Sequence, residues 1–238
     1  MPNRYLVISS VGDQSLHKNW VSPRITKQFD LALVYYGNTP NRYKNECDYY
    51  WERQGTKFQN TYYALKQLGP KLSDYEAVWI PDDDIHMDSG SITTYFSLIE
   101  KYDLWLSQPS LTRDSYIGGW KITANQPAHV LRYTNFAEIM APAFNRTGLN
   151  TCLETFKESF SGFGLDFTWP RIMGVPKDRI AIVDAVMMKH TRPSKTGDLY
   201  KLFSRPPIEE GREVCRRYGI EWDDCLVAET FGAVMKRT

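Results

Sequence analysis

Along the chain, short apolar runs rich in β-branched and aromatic residues alternate with longer stretches whose apolar positions recur at helical spacing. Tyr5 to Ser9 predicts a first strand, and Leu31 to Tyr36 a second, closed by Gly37 and Asn38. From Thr56 to Leu68, the side chains of Phe58, Tyr62, Leu65 and Leu68 share one helical face, and Gly69 with Pro70 stops that helix. Ala77 to Ile80 predicts a strand that runs into Pro81 and three consecutive aspartates. A helix over Ser89 to Tyr102 begins after Asp88, followed by a strand at Leu104 to Leu106 and another at Ala137 to Phe144. A helix from about Thr147 to Ser159 precedes a late strand, Ile180 to Met188, which ends in Lys189 and His190. Two charged helical segments are expected to close the chain. Strands joined in this way by crossover helices predict a largely parallel sheet.

In an open parallel sheet, ligands gather at the carboxyl ends of the strands. Asp82, Asp83 and Asp84 follow one such end and His190 another, so the pattern predicts that they meet across a cleft.

Composition narrows the class. At 238 residues, with 42% hydrophobic and 24% charged residues, the chain has the usage of one α/β domain able to bury its own core. With 29 basic against 28 acidic residues there is no overall field to concentrate nucleic acid or an anionic membrane, and nucleic acid is excluded as a partner. Cys47, Cys152, Cys215 and Cys225 contain no CxxC pair, which argues against a zinc knuckle or a disulfide framework. They read as reduced, mostly buried thiols of a cytoplasmic protein, with a Cys215–Cys225 bridge left open. The amino terminus is too short in apolar residues for a signal peptide, and no segment approaches the roughly 20 apolar residues of a transmembrane helix. Any membrane association is expected to be peripheral.

Three adjacent carboxylates repel one another unless a cation neutralises them, and a hard divalent ion that also bridges to substrate phosphates removes the conflict. The alternative is a solvated turn capping the next helix, a role that Asp88 and Ser89 can fill alone. His190 lies in KHTRP, where Arg192 suits a diphosphate and Pro193 ends the strand; imidazole would add a third ligand to the aspartate pair. A structural histidine is the plainer reading. In SGFGLDFTWP, two glycines permit close backbone approach, Phe163, Phe167 and Trp169 suit a sugar face, and Asp166 reads either as a general base or as a helix cap.

A DxD after a central strand, a glycine-rich loop carrying an acid, and a late-strand His, in that order, resemble the glycosyltransferase A (GT-A) fold. More closely, FDLALVYYG, CDYYWERQGTKF, YEAVWIPDDDI, LSQPSLTRDSY, LRYTNFAEIMAPAF, SGFGLDFTWP and IAIVDAVMMKHTRP resemble a family of uncharacterised domains abundant in plants and also found in bacteria. Some members carry a label relating them to lysine-ketoglutarate reductase trans-splicing. No GxGxxG follows the first strand, so that label fits nothing in the chain. The resemblance covers roughly residues 4 to 195.

The resemblance implies an α/β, GT-A-like (Rossmann-like) single domain with a mixed, mostly parallel central sheet flanked by helices. Residues 1–195 would form the catalytic domain and 196–238 a C-terminal helical extension packed on it. It implies a metal-dependent, hexosyltransferase-type glycosyltransferase of polysaccharide biosynthesis, using a nucleoside diphosphate sugar, UDP by preference of the wider fold, with Mn²⁺ or Mg²⁺. Asp82, Asp84 and His190 correspond to the metal ligands, and Asp82 and Asp83 lie beside the nucleotide. Ser9, Ser10 and Asp48 fall where the nucleoside is held, Lys57 and Arg192 where ribose or phosphate is reached. Asp166 corresponds to the base of inverting enzymes, ionised at neutral pH, although those enzymes commonly carry two adjacent acids where this chain has Leu165 and Asp166. A saccharide or other hydroxyl acceptor would lie near Tyr116, Arg132, Tyr133 and Glu138, with His17 and Trp20 bordering the cleft. The rivals are a sugar-phosphate nucleotidyltransferase, disfavoured by the glycine-poor SSVGDQSLHKNW, and a non-catalytic nucleotide- or carbohydrate-binding module.

Overall fold

Strands β1 (Tyr5–Val11) and β2 (Asp30–Tyr35) are buried along nearly their whole length, as expected of strands covered by helices on both faces. The structure, a computed structural model, describes residues 3–193, 196, 203–222 and 228–236. The remaining strands are β3 (Tyr49–Glu52), β4 (Ala77–Trp79), β5 (Ile85–His86), β6 (Leu106–Leu111), β7 (His129–Thr134), β8 (Ala143–Asn145), β9 (Ile180–His190) and β10 (Thr230–Met235). The helices are α1 (His17–Trp20), α2 (Lys57–Leu68), α3 (Ser89–Lys101), α4 (Arg146–Cys152), α5 (Leu165–Ile172) and α6 (Pro207–Arg217). The sheet order is β10-β7-β9-β6-β8-β4-β1-β2-β3, with β5 paired to β9 off this path. Neighbours among β4, β1, β2 and β3 are parallel, as are β6 and β9, whereas β8, β7 and β10 enter antiparallel. This is a single mixed α/β domain.

Alternation along the strands divides the core. Val7, Leu31, Leu33 and Trp79 pack with Ile92, Tyr95 and Phe96 of α3 on one face. Leu6, Ile8, Leu106 and Phe144 pack with Phe58, Leu65 and Trp169 of α2 and α5 on the other. Asp88 caps α3 by accepting a hydrogen bond from Ser91 N at 2.9 Å, so the helix start needs none of the three preceding aspartates.

Several elements depart from the pattern. Strand β6 lies over Leu106–Leu111 instead of 104–106, because its polar residues are paired inside: Ser107 Oγ and Tyr95 OH are 2.9 Å apart. The register shift against β9 falls between Pro109 and Ser110, where a proline interrupts the ladder. Of the strand expected over 137–144, the structure keeps the end, as β8; the unexpected β7 carries Arg132, whose charge is buried against Asp184 at 2.8 Å. The helix expected over 147–159 divides into α4 and a 3₁₀ turn at Leu153–Lys157. The final segment was expected to be helical, yet Thr230–Met235 forms β10, antiparallel to β7, so 196–238 contributes an edge strand as well as α6.

Cys47 and Cys152 are thiols, and Cys215 directs its sulfur to Gly164 O at 3.9 Å. Cys225, the other half of the bridge left open above, lies outside the described residues. Among the described residues no helix is long and apolar enough to cross a membrane.

Candidate active site

The acidic loop is built by the strand before it. Past Trp79, the ladder to the β8 side continues through Ile80 N to Pro142 O and Asp82 N to Met140 O, both 2.8 Å, which carries Asp82 to Asp84 to the C-terminal edge of β1 and β4. The chain then turns into β5, which pairs antiparallel with the end of β9, Ile85 opposite His190. Thr191 reinforces the seam, its hydroxyl donating to Asp84 O at 2.7 Å. As a result Asp84 Oδ2 and His190 Nε2 stand 3.3 Å apart, both side chains 10% exposed. His190 Nδ1 donates to Tyr116 O at 2.7 Å, which fixes the ring and leaves Nε2 facing the carboxylate.

The three aspartates have different partners. Asp83 is structural: its carboxylate accepts from Gly12 N at 2.8 Å and from Arg192 Nη1 at 3.3 Å. Asp82 is turned to Lys57, whose Nζ lies 2.7 Å from Oδ1 and also donates to Ile139 O and Met140 O. Among the described residues, no three His, Cys, Asp or Glu side chains converge as a metal set, so the three-ligand arrangement expected from sequence is not assembled. Asp84 and His190 form a pair instead. A carboxylate and an imidazole held with one nitrogen outward still fit a hard divalent ion that takes its other ligands from water and phosphate.

Other expected residues divide in the same way. Ser9 is wholly buried and its hydroxyl donates to Pro81 O at 2.8 Å, which supports the acidic loop from below. Ser10 accepts from Asn60 Nδ2 at 2.9 Å. Arg192 is held by Asp83 and by Gln14 O at 2.8 Å, at the rim of the acidic loop. Asp48 does not belong to the site. It precedes β3, which runs parallel to β2, so it sits at the opposite edge of the sheet, accepting from Leu31 N at 2.8 Å and Lys27 Nζ at 2.9 Å. His17 and Trp20 are core residues: both are buried, the His17 ring is held by Ser15 and Glu46, and the Trp20 indole donates to Ile85 O. Arg132 is bound to Asp184 and two carbonyls and is equally structural. Tyr116 is 49% exposed and Tyr133 is partly buried against the core.

Asp166 lies in the first turn of α5, 5% exposed, and its Oδ1 has no partner. The loop before it is clamped by α6: Glu210 accepts from Phe160 N at 2.7 Å, Ser161 N at 2.8 Å and the Ser161 hydroxyl. Gly164, at φ 88°, packs so closely on Gly211 that a Cβ would stand 2.7 Å from its carbonyl oxygen. Trp169 is buried among Phe58, Phe144 and Phe156, and Phe167 among Trp120, Phe136 and Trp222, so neither is a free sugar platform.

Glu138 is carried in by the irregular connection between β7 and β8, and its N–H donates to Gln108 Oε1 at 2.5 Å. Gln108 was missed in the sequence; the signal is a polar residue on the face of β6 that also carries Leu106.

Five carboxyl groups thus share one region with three cationic groups, Lys57, His190 and Arg192. Burial and Glu138's charge push Asp166 up to about 8, against the expectation of an acid ionised at neutral pH. Burial likewise raises Glu138 to about 7 and Asp83 to about 6. Burial opposes the imidazolium of His190, but the hydrogen bond and charge of Asp84 outweigh it and push His190 up to about 9. An excess of carboxyls at the strand ends is the electrostatic setting for a divalent cation. A cavity of about 290 Å³ lined by Arg4, Tyr5, Glu76 and Arg146 lies at the other edge of the sheet, away from this chemistry.

The model of a family described as a protein of unknown function, DUF707, matches residues 2–134. No curated protein matches the sequence. Among solved structures, S. aureus TarS 1-349 superposes at TM-score 0.55 with 10% identity over 90% of this chain and 70% of that one. TarS 1-349 in complex with UDP-GlcNAc gives TM-score 0.56 with 12% identity, covering 90% of this chain and 65% of that one. GalNAc-T7 with UDP, GalNAc and Mn²⁺ gives TM-score 0.63 with 12% identity, covering 93% of this chain and 49% of that one. The chain therefore spans between about half and 70% of the length of these structures. The chain shares the GT-A-like fold of these structures.

Proposed function

Because the chain belongs to the DUF707 family, whose description assigns no activity, its chemistry has to be read from its own site, and we propose that it is a metal-dependent glycosyltransferase. The donor is a nucleoside diphosphate sugar, UDP by analogy with the ligands of TarS and GalNAc-T7, and the acceptor presents a hydroxyl group. The observation that carries this reading is the Asp84–His190 pair, closed by β5 at the strand-end edge of a GT-A-like sheet.

Asp84 and His190 would hold Mn²⁺ or Mg²⁺, with the Asp82 carboxylate beside them on the Lys57 side. Such an ion, when bound, supplies charge to the diphosphate as it departs. Lys57, a partly buried cation presented at the N-terminus of α2, exchanges Asp82 for a phosphate oxygen without leaving its place. In the transfer step the acceptor oxygen forms a bond to the anomeric carbon, the bond from that carbon to the diphosphate breaks with its electron pair on the phosphate oxygen, and the acceptor proton passes to Asp166. That attack inverts the anomeric configuration. Asp166 must be ionised to accept the proton, so the competent enzyme is the form in which it has lost its own. The residues 1–195 carry the chemistry in this reading, while the C-terminal residues hold the Asp166 loop through Glu210.

The test is release of nucleoside diphosphate from a panel of UDP- and GDP-sugars with Mn²⁺, measured on wild type and Asp166→Asn. Removal of a general base is expected to lower turnover by roughly 10² to 10⁴ while donor binding persists. Near-normal turnover in the variant would remove Asp166 from the reaction. Donor binding without turnover in the wild type would favour the non-catalytic module.

A further inference from the structure

Strand β10 is terminal in the sheet, and among the described residues its strand neighbour is β7. Its six residues, Thr230–Met235, include no charged residue and no proline, and none of them is buried; Met235 is 57% exposed. Edge strands are normally blunted by charge, by proline or by a covering element, because their outward N–H and C=O groups are a template for another strand.

The ladder to β7 fixes which backbone groups point outward. Glu229 O accepts from Asn135 N at 3.3 Å and Lys236 N donates to Ala128 O at 2.9 Å, so the backbone faces β7 at both ends of the strand. Counting back from Lys236, alternation turns the N–H and C=O of Met235 and Ala233 away from β7 and those of Val234 towards it. The register shift between Val234 and Met235 has its extra residue, Val130, on β7, so this count holds. The other shift leaves Phe231 as the extra residue of β10.

Two copies of this edge fit each other. With a two-fold axis at Ala233 and Phe231 bulged out of the ladder, Ala233 faces the partner's Ala233, Val234 faces the partner's Gly232, and Met235 faces the partner's Thr230. In the same register Lys236 lies opposite the partner's Glu229, so the two exposed charges that flank the strand meet as opposites at each end of the seam. Pairing also accounts for Gly232. A Cβ there would meet nothing within 4 Å, so a single copy has no need of glycine, whereas a glycine opposite Val234 leaves room for the partner's side chain.

We propose that β10 is a self-association edge, on which a second copy of this chain pairs antiparallel about Ala233 with Glu229–Lys236 ion pairs at both ends. The pairing is independent of the chemistry at Asp84 and His190.

Sedimentation velocity of the full chain, over a concentration series up to about 100 μM, tests it and is expected to show a monomer–dimer equilibrium. Ala233→Pro removes an N–H that points away from β7, so it spares the ladder within one copy and weakens the dimer at least about tenfold. Glu229→Lys and Lys236→Glu each set like charges against one another at both ends and weaken the dimer about tenfold at low salt, while the double variant restores opposite charges and recovers it. Melting curves recorded where the protein is monomeric separate loss of pairing from loss of fold. A monomer throughout the series, or a dimer of unchanged strength in Ala233→Pro or in both single charge reversals, overturns the proposal.

Discussion

Asp84 and His190 meet at 3.3 Å because a two-residue strand, β5, joins the acidic loop to the end of β9. This seam separates the roles of three neighbouring aspartates. Asp84 faces His190, Asp82 faces Lys57, and Asp83 turns inward to hold Gly12 and Arg192.

Asp83→Ala is expected to act on stability. It leaves Gly12 N without its acceptor and Arg192 without its ion pair, a loss of about 1–3 kcal/mol for a buried group. Urea unfolding of the variant checks this; an unchanged midpoint would show that Asp83 does not carry the loop.

The reaction should speed up with pH across neutrality. Asp166 is held near 8 and Glu138 near 7, and proton acceptance requires the ionised acid. The pair titrates together, so the measured values belong to both. The rate of transfer per donor-bound enzyme should climb between about pH 6.5 and 8.5 and then level. A profile flat over that range would mean that neither carboxyl takes the proton.

The same raised values make stability fall as pH rises. In the unfolded chain Asp166 ionises near 3.9, in the folded protein near 8; between these the folded state holds the extra proton and the carboxyl's neutral form stabilises the fold. That contribution is fully present below about pH 4 and is lost as pH passes 8. Asp166→Asn, which carries no charge to bury, should therefore gain stability relative to wild type from pH 5 to pH 8.5, read by thermal melts at each pH. A constant difference would place the carboxyl in a more solvated setting.

Arg132 and Asp184 are 3% and 0% exposed and joined at 2.8 Å, with Asp184 also accepting from Gln126 N. Removing one partner strands the other charge, so Arg132→Ala should cost about 3–5 kcal/mol in unfolding free energy. At a temperature where it stays folded, its donor affinity should match wild type; a selective loss of affinity would return Arg132 to the binding surface.

Much of the fold is legible in the sequence where burial follows periodicity. Strands β1, β2, β4 and β9 are apolar runs, and α2 and α3 have clear apolar faces with a Gly-Pro stop and an Asp cap. Legibility fails where tertiary partners make polar residues acceptable inside, as with Arg132 in β7 and Ser107 and Gln108 in β6. It fails again at β5, too short for any pattern, and at β10, an edge strand half exposed to solvent. The placement of the acidic loop and His190 follows from their being at strand ends. Their division of labour does not, because it depends on which donor each carboxylate finds: Lys57 from α2, Gly12 from β1's end, His190 through β5. Asp48 shows the same limit from the other side, since adjacency to a strand says nothing until the strand's direction is known.

In the proposed reaction Asp84 and His190 hold a divalent ion that brings in a nucleoside diphosphate. Calorimetric titration of UDP and GDP into metal-free protein, with and without Mn²⁺, on wild type and Asp84→Ala, tests it most directly. Binding of one nucleotide that requires Mn²⁺ and disappears in the variant is the expected result. Binding that ignores both the metal and the substitution, or no binding of either nucleotide, would contradict it.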